Sequence, residues 1–102
     1  MVIVYAGNEF RTGDDIALAL VDYSQALARV NTAESVEVPV RDDDGQTSSA
    51  VFLVGPASQL VAKRVPSPEE DELVDEAVTE ELRARIRRLR PAAGGEFIDE
   101  WI

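Results

Sequence analysis

The spacing of apolar residues changes several times along this chain, and each change marks an element. Val36, Val38 and Val40 alternate with Glu37 and Pro39, a period of two that predicts a strand with one apolar face. Pro39 has no N–H to give a ladder, so this strand is expected at a sheet edge. Asp42-Asp43-Asp44-Gly45 then reads as a hairpin turn. Residues 50–54 are apolar at every position, which predicts cover on both faces and the central place in the sheet. Gly55-Pro56-Ala57-Ser58 turns the chain again, and residues 60–65 read as a returning strand. Residues 36–65 thus form a predicted central meander.

The flanking segments read as cover for that sheet. Residues 2–5 are β-prone, and Ala6-Gly7-Asn8 is turn chemistry that lets residues 9–11 fold back as a small hairpin, which is preferred over a single strand feeding a loop and then the helix. A helix is predicted over about residues 13–30. Ile16, Ala19, Leu20, Tyr23, Ala26, Leu27 and Val30 form its main stripe. Thr12 stands three residues before Asp15 in a spacing like a capping box, and Asn31 is a stop. A second flank of this helix, Ala17, Val21 and Ala28 with Leu18 nearby, is also apolar. A second helix is predicted over about residues 68–89, with Ser67 as N-cap, Pro68 at its first position and Glu70 completing a capping box. Val74, Val78, Leu82, Ile86 and Leu89 form its single narrow stripe, and Pro91 ends it.

These elements predict an α+β fold: an antiparallel sheet of four to five strands covered by two helices. The order of the strands does not follow from the pattern. Residues 1–91 read as one domain, followed by a linker and an aromatic-acidic tail over residues 92–102.

Composition narrows the chemistry. The chain of 102 residues has neither cysteine nor histidine. That removes disulfides, thiolate and ordinary zinc sites, and the Ser-His-Asp and Cys-His nucleophile systems. No apolar run is long enough to span a bilayer, and no secretory leader pattern is present, so a soluble cytoplasmic protein is expected. A formal charge of −10 repels nucleic acid and anionic lipid on average.

Four motifs invite a functional reading, and in each the plainer reading is stronger. Asp42, Asp43 and Asp44 are contiguous, without the alternation and distant glutamate of a calcium loop. The glycines at 7 and 13 lack the lysine of a phosphate loop, and Asp14 and Asp15 would repel an anion there. Ser58 has no histidine to activate it, and its neighbour Gln59 carries no further signal. Arg83, Arg87, Arg88 and Arg90 could grip phosphates. They also lie at the C-terminal end of a helix whose first turns are acidic, the order that the helix dipole favours.

No catalytic, cofactor-binding or metal-ligating residue is therefore expected. The sequence points to a small non-enzymatic interaction domain that self-associates as a homodimer or joins another protein, with no nucleic-acid or membrane partner. The expected interface is Leu18 and Val21, or Phe97 and Trp101 of the tail. The alternative is an anion or nucleic-acid binder using Arg83, Arg87, Arg88 and Arg90.

Overall fold

The structure is a computed structural model that describes residues 1–66 and 72–89. Among them the elements run β1 (Val2–Tyr5), β2 (Asn8–Arg11), α1 (Asp14–Arg29), β3 (Glu34–Arg41), β4 (Thr47–Val54), β5 (Leu60–Lys63) and α2 (Glu76–Leu89). The strands form one antiparallel sheet in the order β4-β3-β2-β1-β5. With the two helices this is the α+β fold that the periodicity predicts.

The first hairpin forms as expected. Tyr5 pairs with Asn8, and the two residues between them, Ala6 and Gly7, have φ of 52° and 80°. Positive φ at both central positions is the two-residue turn that matches strand twist. The second hairpin joins β3 to β4 through Asp42 and Gly45, where Gly45 takes φ 85° and donates its N–H to the Asp42 carbonyl.

The predicted meander does not form. Residues 60–63 leave β4 and pair with β1, Val2 opposite Lys63 and Tyr5 opposite Leu60. The end of β4 is instead tied elsewhere: the Leu53 carbonyl accepts the Tyr5 hydroxyl at 2.6 Å and the Ser58 hydroxyl at 2.9 Å. Gly55 presses against Thr32 and Ala33, which steers the chain off the strand.

The predicted centre and edge are also exchanged. β4 is an outer strand, and β3 lies inside it. Phe52 and Val54 are buried, while Val51 and Leu53 are 66% and 56% exposed. A run that is apolar at every position has no period, so it cannot show which face is covered. Pro39 is tolerated inside the sheet because β2 and β3 meet only at Arg11 and Arg41. Beyond that bridge no strand asks Pro39 for an N–H, and its carbonyl accepts the buried Thr12 hydroxyl at 2.8 Å.

The sheet folds over at this corner, so that Phe52 of β4 meets the rings of Tyr5 and Phe10 edge-on at 5.4 and 5.1 Å. Ile3, Ile16, Leu20, Leu27, Val38 and Leu82 belong to the same core. α1 packs on α2 and also reaches β4 and β5. Its fully buried Ala17 shows that the second apolar flank is partly used within the chain.

α1 starts where expected but is capped differently, and α2 starts later than expected. Thr12 spends its hydroxyl on Pro39, and Gly13 is the N-cap of α1 without a side-chain bond. The Asp14 N–H is met instead by the Glu72 carboxylate at 2.6 Å. A β-carbon at Gly13 would be driven into the Leu73 carbonyl, so only glycine allows this approach. α1 ends on Asn31 at φ 54°, with Asn31 donating to Ala28 and Thr32 to Leu27, the paired bonds of a Schellman motif.

α2 begins at Glu76 rather than near residue 68, because residues 72–75 are not helical. Asp75 is the cap: its carboxylate accepts the Val78 N–H at 3.2 Å. Val74 therefore drops out of the predicted stripe and is 64% exposed, while Leu82 and Ile86 are buried. The predicted cap at Ser67, the stop at Pro91 and the tail over 92–102 lie outside the described residues.

Candidate interaction surface

Strand alternation divides the sheet into two faces. Val36, Val38, Val40, Phe52, Val54 and Ile3 turn toward the core. The opposite face takes Val51, Leu53 and Val61, of which Val61 is 54% exposed. Val4 faces Val61 across the β1–β5 pair, and Val51 faces Glu37 across the β3–β4 pair. The fold of the sheet brings Val4, Tyr5, Leu53, Ser58, Gln59 and Val61 around one open depression. The Tyr5–Leu53 hydrogen bond crosses between its walls. Three large apolar side chains more than half exposed are the strongest unexplained feature of this surface.

The two outermost strands differ in protection. β5 has four residues and ends in Lys63, which pairs with Glu9 at 3.7 Å, followed by Arg64, which reaches Asp14 at 3.6 Å. Charges of this kind discourage pairing with another strand. β4 has eight residues, and none from Thr47 to Val54 is charged, proline or glycine. The other flank of its hairpin is closed by side chains: Thr12 on the Pro39 carbonyl, and Arg85 donating to the Ser35 carbonyl at 3.4 Å.

The residues picked out by pattern are spread over the molecule. Leu18 is 38% exposed and Val21 half-buried, both less open than the sheet face. Phe97, Trp101 and Arg90 lie outside the described residues. Each described arginine of α2 holds a carboxylate: Arg83 with Asp22 at 2.6 Å, Arg85 with Glu81 at 2.9 Å, Arg87 with Glu80 at 3.0 Å, Arg88 with Glu81 at 3.5 Å. The hydrogen bond from Arg85 holds the Glu81 carboxyl below its ordinary range, and Glu81 in turn raises Arg85. Arg85 also sits over the Tyr23 ring, 5.8 Å from its centroid.

The aspartates of the hairpin tip serve the turn. Asp42 accepts the Ser48 hydroxyl, and Asp44 accepts the Gln46 N–H. Among the described residues no group of three or more acids is placed to hold a metal ion. No helix among them is long and apolar enough to cross a membrane.

Sequence reasoning missed Val51, Leu53 and Val61 as surface residues. One signal was available: Thr47-Ser48-Ser49 puts polar residues at both parities of the same strand, which a doubly covered strand would not carry. Compared with known proteins, the chain matches no family model, no curated protein and no solved structure.

Proposed function

We propose that this chain is a small non-enzymatic interaction domain that associates with itself. The observation that carries the reading is the outer sheet face, where Val51, Leu53 and Val61 stand more than half exposed and no helix or strand among the described residues covers them. Leaving such groups in water forgoes about 25 cal/mol for each Å2 that an interface would cover. The sheet face replaces the α1 flank as the favoured contact, because Leu18 and Val21 are less exposed.

The anion-binding alternative is weaker. Arg83, Arg87 and Arg88 each hold a carboxylate of their own chain, and the formal charge of −10 opposes the approach of phosphates. The pairs are exposed, so breaking one would cost little by itself. It is the net charge that weighs most.

Light scattering over the micromolar range tests the reading. The wild-type chain is expected to dimerise, Val51→Glu to be monomeric, and Val21→Glu to behave as wild type. A wild-type monomer throughout that range would overturn self-association.

A further inference from the structure

The open edge of β4 carries a more specific inference, which rests on the self-association just proposed. In an antiparallel pair, successive residues alternate between bonding the partner strand and pointing away from it. Three observations set the phase here. Pro39, which has no N–H, lies opposite Ser49. The Leu53 carbonyl serves Tyr5 and Ser58 rather than β3. The Ser35 carbonyl, opposite Leu53, accepts Arg85 on the far flank. The even-numbered residues of β4 therefore bond β3, and the N–H and C=O groups of Thr47, Ser49 and Val51 point outward. No strand of the described sheet lies on that side.

A row of outward backbone donors and acceptors accepts one kind of partner, another extended strand. We propose that the partner is β4 of a second copy, paired antiparallel about a two-fold axis so that the sheet continues across the dimer.

Three features favour a second copy. Thr47–Val54 has no charged side chain, so no charges of the two strands stand directly opposite, and the nearest like charges are the Glu37 carboxylates that accept the Ser49 hydroxyls at 2.8 Å. An antiparallel strand pair is self-complementary about a two-fold axis, so one edge serves both subunits. A pairing centred on Ser49 also sets Thr47 of each copy beside Val51 of the other, two β-branched residues on the same face. It leaves Leu53 outside the new ladder, where its carbonyl is already engaged.

A strand pair with few side chains lies at the small end of interfaces, below about 1,200 Å2, so the expected affinity is micromolar. Each chain carries −10, and this like charge opposes approach over distances that salt screens. The dimer is therefore expected to tighten as salt rises. A basic peptide on the same edge would weaken.

Ser49→Pro is the discriminating variant. The Ser49 N–H points away from β3, so proline there removes no bond of the β3–β4 ladder but blocks the new one. Sedimentation is expected to show at least a tenfold weaker dimer, with the far-UV spectrum and melting profile retained. The chain has no cysteine, so Ser49→Cys gives a second readout that does not depend on proline being tolerated. Under oxidation it is expected to form a covalent dimer, whereas Gln25→Cys on the exposed side of α1 does not. A dimer that survives Ser49→Pro, together with no cross-link through Ser49→Cys, would overturn the edge pairing and leave self-association standing. A wild-type monomer would overturn both.

Discussion

Two regions of this small protein treat their backbone polar groups in opposite ways. At the corner around Gly13, strand, helix and loop are bound to one another at close range. Thr12 donates to Pro39, Glu72 accepts from Asp14, and the Met1 ammonium donates to the Thr12 carbonyl and to Asp14, each at 3.0 Å. Along the outer edge of β4 no strand among the described residues lies beside the corresponding groups. The corner has no room for change, so substitutions there should be read in folding stability. The edge has unspent bonding capacity, so substitutions there should be read in association.

The sharpest test of that contrast is Gly13→Ala. The added methyl group meets the Leu73 carbonyl, so either α1 or the 72–75 segment must shift. The expected loss is about 3 kcal/mol or more, measured by denaturant unfolding. A smaller loss would mean that residues 72–75 can leave the corner cheaply. Next in size is Thr12→Val, which keeps the shape but removes the hydroxyl from the buried contact with Pro39. An unpaired carbonyl there is expected to cost about 1–3 kcal/mol. The same experiment should leave the dimer constant unchanged.

Asp75→Ala tests how far the tied region reaches. The start of α2 depends on this carboxylate, and its loss is expected to cost about 1 kcal/mol. An unchanged midpoint would place the start of α2 under another residue's control. The smallest expected effect on folding belongs to the edge. Val51→Thr keeps the β-branched shape on an exposed position and should change stability by no more than about 0.5 kcal/mol. If Val51→Thr unfolded the chain as readily as Thr12→Val, the contrast between corner and edge would be wrong.

How far the sequence reaches depends on the range of the interaction concerned. Period two in β3 and period 3.6 in α1 and α2 are local patterns, and they correctly marked the strands, the helices and the α+β class. So did the turn at Ala6-Gly7 and the stop at Asn31, where short-range backbone geometry decides the outcome. The absence of histidine and cysteine likewise limited the chemistry before any fold was known.

What only the tertiary structure decided was which element lies beside which. Residues 60–63 pair with β1, some sixty residues away, because the turn at Gly55 is packed on Thr32 and Ala33. Pro39 sits inside the sheet because the neighbouring strand ends at Arg11, and nothing in the sequence of β3 records where its neighbour ends. The cap of α1 comes from Glu72, far along the chain, and leaves Thr12 to bond Pro39. The apolar run of residues 50–54 was legible as a strand. Which of its faces and edges stayed open was not, because each of those residues is equally at home in water-free packing and only the placement of the other elements decides which are covered.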